Sequence, residues 1–174
     1  MSPQVDLALK VALLGLTTAQ RLGELVLARR NTQRLEARGA YEVGAGHYPL
    51  IVALHAAWLA GLWAWVLYRN PPLSPPWAGV YLALQALRVW VLASLGERWT
   101  TRIIILPGAP LVKRGPYRFI PHPNYAVVAL EIAVLPLAFG LWAYSLIFTL
   151  LNAGVLTIRI RTENAALRAL RPIP

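Results

Sequence analysis

YAVVALEIAVLPLAFGLWAYSLIFTLLNAGVLTIRI, Tyr125 to Ile160, is apolar for 36 residues. A helix needs about twenty apolar residues to cross roughly 30 Å of hydrocarbon. The run is therefore too long for one span and close to the minimum for two. Pro136 and Gly140 fall near its centre. Proline removes an intrahelical donor and glycine accepts the turn that follows, so the run predicts a helical hairpin. Each arm is short, so the hairpin is expected to tilt or to sit partly sunk in the cytoplasmic leaflet.

Working upstream, Trp77 to Leu95 reads as a span containing Gln85 and Arg88. Before it, RNPPLSPP (Arg69 to Pro76) carries four prolines that fix a short extended loop. Tyr48 to Tyr68 is a more uniform span with His55, Trp58, Trp63 and Trp65. The first span, Val5 to Leu27, is interrupted by Lys10, Gln20, Arg21 and Glu24. Lys10 is expected to snorkel, while Arg21 and Glu24, three apart, share a helix face and can pair. Downstream, RIRTENAALRALR (Arg159 to Arg171) continues as an amphipathic helix. The fold predicted is all-α, a polytopic bundle of about five transmembrane helices in one domain. Residues 1–95 supply three spans; residues 96–174 supply a polar segment, the hairpin and the last helix.

Composition agrees: 57% of residues are hydrophobic and only 14% charged, against about a quarter charged in a soluble domain. The absence of cysteine excludes a disulfide framework, a thiolate metal site and a cysteine nucleophile, and no other metal-ligand cluster is evident. The net charge of +10 sits in the segments between spans, which speaks for lipid headgroups and against nucleic acid. Arg29, Arg30, Arg34 and Arg38 follow span one, Arg69 alone follows span two, and Arg98, Arg102, Lys113, Arg114 and Arg118 follow span three. With Arg159, Arg161, Arg168 and Arg171 at the end, the positive-inside rule puts the N-terminus outside the cell membrane and the C-terminus in the cytoplasm. No cleavable leader is expected, because the first apolar stretch begins almost at Met1 without a basic leader or a small-residue cleavage site.

Two polar stretches flank the hairpin. GPYRFIPHPNY, Gly115 to Tyr125, holds His122 between two prolines with Tyr117 and Tyr125 nearby. Either the imidazole is fixed at the interface for a purpose, or the stretch is an interfacial aromatic belt with a turn. RIRTENAAL, Arg159 to Leu167, places Arg159 and Glu163 on one helix face, a surface ion pair worth a few tenths of a kcal/mol or part of a site. Within the spans, Arg21, Glu24, His55, Gln85, Arg88, Glu131 and Asn152 are polar. A central charge costs about 2.5–3.5 kcal/mol on insertion scales, so they either serve a site or pair, Arg88 with Glu131 and Arg21 with Glu24. Gly44 to Gly46, the only G-x-G, lacks a preceding strand and a third glycine, so it is no dinucleotide fingerprint.

Together the two stretches resemble the isoprenylcysteine carboxyl methyltransferase family, which belongs with the membrane phospholipid methyltransferases. That family carries G-x-Y-x-x-x-R-H-P-x-Y before a hairpin and R-I-x-x-E-E-x-x-L after it; the resemblance covers about Leu106 to Leu170. RLGELVLARRN (Arg21 to Asn31) and HYPLIVALH (His47 to His55) look closer to a bacterial branch similar to the methyltransferase partner of type III polyketide synthases. The resemblance implies S-adenosylmethionine-dependent methyl transfer at the cytoplasmic face. The methyl would go to a carboxylate or acidic hydroxyl of a lipophilic acceptor from the bilayer, prenylcysteine-like or an alkylpyrone lipid. By carry-over, Gly115, Tyr117, His122, Tyr125 and Glu163 hold the cofactor, Arg159 fixes that end of the pocket, and Pro107, Gly108 and Val112 supply backbone contacts. The family's arginine before His-Pro, near the acceptor carboxylate, is Pro121 here, and its second glutamate is Asn164. Arg118, one turn earlier, and the intramembrane Arg88 and Glu131 are the candidates for the acceptor side. A small transporter or channel-like protein using the buried charges is the competing reading, and a structural subunit without chemistry a third.

Overall fold

The computed structural model describes residues 3–169; Leu170 and Arg171 of the expected amphipathic helix lie outside the described residues. Five helices follow in order: α1 (Pro3–Glu36), α2 (Tyr48–Arg69), α3 (Pro75–Leu95), α4 (Pro123–Ala138) and α5 (Trp142–Ala169). Proline stands in the first turn of α2, α3 and α4, where its missing N–H has no helical partner to lose. Four helices are long and apolar enough to cross a membrane, and α4 is a shorter apolar one. The chain is an all-α multi-pass membrane bundle. Large apolar side chains such as Leu16, Leu67, Val89 and Leu150 are exposed on its flanks, as lipid contact requires.

Three features depart from the sequence expectation. α1 runs nine residues beyond Leu27, to Glu36: its arginine-rich turns leave the hydrocarbon yet stay helical, and Asn31 Nδ2 donates to the carbonyls of Trp99 (2.8 Å) and Gly96 (3.2 Å). Lys10 does not snorkel to water. It is fully buried and donates to Asp6, Asn70 Oδ1 and the Pro71 carbonyl, tying α1 to the proline-rich loop. The third is a pair of three-residue strands, β1 (Tyr41–Val43) and β2 (Ile103–Ile105), antiparallel with Tyr41 opposite Ile105. They clip the α1–α2 connection to the α3–α4 connection, so both basic segments lie at one end of the bundle.

At the opposite end, the Ser74 N–H donates to the Ala138 carbonyl at 2.8 Å, which levels the start of α3 with the end of α4. α3 has 21 residues and α4 has 16. At about 1.5 Å per residue, α4 therefore stops roughly 7 Å short, wholly at the basic end. The apolar core gathers toward the other end, around Leu14, Trp58, Leu62, Tyr81, Ile132 and Phe139. Gly61 admits Tyr144 there: a Cβ would fall 2.3 Å from the phenolic oxygen, which donates to the Trp58 carbonyl at 2.7 Å. The gap left by short α4 is roofed by residues 96–122 and contains the site.

Candidate functional site

Two cavities lie side by side at the basic end and share a wall made of Trp99, Thr100, Asn124, Tyr125 and Arg159. The smaller, about 130 Å³, is polar and lined by Tyr117, His122, Tyr125, Arg159 and Glu163, with Arg98, Arg102 and β2 at its edge. Pro123 opens α4, which leaves His122 just outside the helix with its ring stacked on Tyr125, centroids 5.3 Å apart. His122 Nε2 lies 3.1 Å from Asn164 Oδ1, and Nδ1 is 3.7 Å from Glu163 Oε2. Tyr125 Oη donates to Glu163 Oε2 at 2.5 Å and accepts from Arg159 Nε at 2.9 Å. The first turn of α4 is thus cross-linked to α5, and the two sequence stretches form one hydrogen-bonded unit.

Arg159 is only 6% exposed, and neither of its terminal nitrogens meets a hydrogen-bond acceptor among the described residues. Arg159 lines both cavities, so those donors face open space and can meet an anionic or carbonyl-bearing group there. Tyr117 comes from a short 3-10 turn, Gly115–Arg118. Burial, and after it the negative charge of Glu163, push its phenol above the ordinary range. It remains a neutral O–H that can donate.

Other expected residues are placed differently. Gly115 has φ +55°, and a Cβ there would fall 2.0 Å from Ser94 Oγ; it lets the 3-10 turn press against α3. Pro107, Gly108 and Val112 line neither cavity, though Arg98 donates to the neighbouring Pro110 carbonyl. Arg118, expected on the acceptor side, is not brought there. The turn points it outward, exposed, with its guanidinium 4.7 Å over the Phe119 ring.

The larger cavity, about 320 Å³, is lined by α1, α2, α4 and α5, with Arg88 of α3 and Trp99 to Thr101 of the roof, and is mainly apolar. Leu22 (59% exposed), Leu25 and Val52 belong to its lining and also to the outer surface, so it opens sideways between α1 and α2 toward lipid. Its floor is charged. Arg21 pairs with Glu24 (3.0 Å) and Glu131 (2.7 Å), and Arg88 pairs with Glu131 (2.9 Å) and, through two nitrogens, with Glu24. Gln85 Nε2 donates to Glu131 Oε1 at 2.9 Å and Gln20 Nε2 to Glu24 Oε1 at 3.1 Å. Both expected pairs exist, closed into a ring by two cross-pairs. Glu131, 1% exposed, lines neither cavity, whereas Arg88 and the 20% exposed Arg21 face the larger one. Asn152 is buried and lines neither.

Sequence reasoning missed Trp99, Thr100 and Asn124. Asn124 sits at the unspecified position of the His-Pro stretch, and its Oδ1 accepts from Trp99 Nε1 at 3.3 Å. No periodicity marks Trp99 or Thr100, which reach the site only because the roof folds over short α4.

Residues 77–169, from the start of α3 to the end of α5, match the family described as "Isoprenylcysteine carboxyl methyltransferase (ICMT) family". A protein of Bacillus subtilis (strain 168), described as uncharacterized protein YpbQ, is 42% identical over 159 residues, 90% of this chain and 95% of its own length. No solved structure matches the chain.

Proposed function

We propose, because the chain belongs to the isoprenylcysteine carboxyl methyltransferase family, that it transfers a methyl group from S-adenosylmethionine to an oxygen of a lipophilic acceptor drawn from the bilayer. The observation that carries this reading is the shared wall: a polar cavity and a lipid-open apolar one meet at Asn124, Tyr125 and Arg159.

The donor sites fit the cofactor. Glu163 and the Tyr117 phenol offer an acceptor and a donor for its polar groups, His122 holds Asn164 in place, and Arg159 offers its unmet guanidinium nitrogens. When bound there, S-adenosylmethionine supplies an already activated methyl on a sulfonium. The protein then has mainly to align the acceptor oxygen with the S–CH3 bond, which calls for positioning more than for a nucleophilic triad. The apolar cavity admits the tail between α1 and α2 and excludes water from the reacting end, where charges attract more strongly than in water. The basic segments at this end favour a cytoplasmic site, where the cofactor is made.

The competing transporter reading needs charges lining a path. Here the two arginines and two glutamates neutralise one another across α1, α3 and α4, which supports a scaffold role for most of them. Isothermal titration of S-adenosylmethionine into the purified protein in nanodiscs tests the proposal. Saturable binding in the micromolar range is expected, weakened at least tenfold in Glu163→Ala, a loss comparable to one charge-assisted hydrogen bond. A wild-type protein that binds none refutes it.

A further inference from the structure

His55 of α2 belongs to neither the charge ring nor the polar cavity, yet it lines the apolar one. Its Nδ1 lies 2.8 Å from the Ile51 carbonyl oxygen, one turn earlier on the same helix. A carbonyl only accepts, so Nδ1 carries the proton, and in the neutral ring Nε2 is left as a lone pair. Because Nδ1 is turned back to its own helix, Nε2 is the distal edge of the ring, with no partner among the described residues. The helix thus fixes the tautomer and presents the basic nitrogen away from α2. Intramembrane histidines are rare and expensive, so one held in this state needs an explanation.

The chemistry of the acceptor supplies the second argument. A carboxylate is already ionised at neutral pH and has no proton to lose, and the donor sulfonium with the unmet nitrogens of Arg159 would balance its charge, so it would leave the His55 base idle. A phenolic or enolic hydroxyl must lose a proton as it is methylated, and His55 Nε2 is a base without a partner among the described residues in the cavity that would hold it.

We infer that His55 is the proton acceptor for a lipophilic acceptor that reacts through a hydroxyl, phenolic or enolic, and not through a carboxylate. The inference rests on the methyltransferase reading above. The acceptor oxygen forms the new O–CH3 bond as the methyl's bond to the donor sulfonium breaks. The sulfur leaves as a neutral thioether, and the hydroxyl proton moves to His55 Nε2. One positive charge stands in the pocket before the step and one after it, moved from sulfonium to imidazolium and never created.

The titratable groups that share its cavity are Arg21 and Glu24 from α1, Tyr48 from the start of α2, Arg88 from α3, Tyr125 from α4 and Arg159 from α5, with Glu131 of α4 paired to Arg21 and Arg88. Any of these can colour a pH profile, so the test compares variants. Nanodisc-embedded protein is given S-adenosylmethionine with pentadecylresorcinol, a phenol protonated at neutral pH (ordinary phenol pKa about 10), or with N-acetyl-S-farnesylcysteine, a carboxylate. The phenol is expected to be methylated. His55→Gln should lower kcat on it by about 10²–10⁴-fold, with cofactor affinity unchanged and with phenol binding, read by quenching of Trp58 and Trp99 fluorescence, also unchanged. The wild-type kcat/KM should fall as pH drops through the imidazole range, that limb should vanish in His55→Gln, and added imidazole should partly restore His55→Ala.

Wild-type kcat in His55→Gln, the same acid limb in both proteins, or methylation of the farnesylcysteine but not the phenol would each overturn the inference. So would a protein that binds S-adenosylmethionine and methylates neither probe. Absence of cofactor binding in the wild type, by contrast, removes the methyltransferase reading itself.

Discussion

Replacing Glu131 with glutamine tests whether the charge ring is a balanced structural unit. Glu131 Oε2 meets Arg21 at 2.7 Å and Arg88 at 2.9 Å, and Oε1 accepts from Gln85 at 2.9 Å. The substitution keeps the shape but leaves two guanidiniums against the single carboxylate of Glu24, in a part of the bundle where Arg88 and Glu131 are almost wholly buried. Removing one partner of a buried pair costs about 3–5 kcal/mol, a large share of a typical 5–15 kcal/mol total. Arg21→Gln should cost less, because its side chain is 20% exposed to the cavity. The double variant restores neutrality, one guanidinium against one carboxylate. It should therefore be more stable than the sum of the single losses, with a coupling of at least about 1 kcal/mol in the range seen for residues in one network. Reversible unfolding in mixed micelles, followed by tryptophan fluorescence, measures all four corners of the cycle. Additive losses, or a Glu131→Gln cost below about 1 kcal/mol, would refute the ring as a coupled unit.

Four further substitutions probe the frame and the site. Gly61→Ala puts a methyl where Tyr144 Oη now sits and should destabilise by about 1–3 kcal/mol through overpacking; Gly15→Ala, with nothing within 4 Å, is the matched control and should be neutral or slightly stabilising in the same unfolding assay. Tyr125→Phe removes both the donor to Glu163 and the acceptor of Arg159 Nε, so S-adenosylmethionine affinity measured by titration calorimetry should fall about tenfold or more. Arg118→Ala should leave both that affinity and turnover unchanged, since the side chain is solvent-facing and lines neither cavity; a large loss in either would show that the turn carrying it closes over the site.

Much of the bundle was legible because hydropathy over twenty residues is a sum that a few polar residues cannot reverse. Pro136 and Gly140 marked the hairpin turn for local reasons, and the tie from Tyr125 to Arg159 and Glu163 follows from two motifs brought together by that turn. What escaped was mainly non-local. Three-residue strands such as Tyr41–Val43 are too short to carry a pattern, and their pairing spans sixty residues. The last turns of α1 read as a loop because their arginines suit water, although their backbone remains helical under the Asn31 tie. Arg21 with Glu24 was visible as an i, i+3 pair; its cross-pair with Glu131 depends on how three helices pack. The outward turn of Arg118 and the distance of Pro107, Gly108 and Val112 from both cavities likewise depend on tertiary placement of the roof.

The missing turns of α4 have a consequence for the energetics of any lipid acceptor. A helix that stops roughly 7 Å short of its neighbour sets the polar pocket that far inside the end of α3, so a lipid acceptor has less far to rise to reach it. Drawing a chain toward water costs about 0.8 kcal/mol per methylene, and a recess worth about five or six methylenes removes roughly 4–5 kcal/mol from the barrier to engagement. Such a recess sets a length rule as well. Long tails remain dissolved in the leaflet while their reactive ends are held, and a short, water-soluble analogue of the same headgroup gains nothing from the recess.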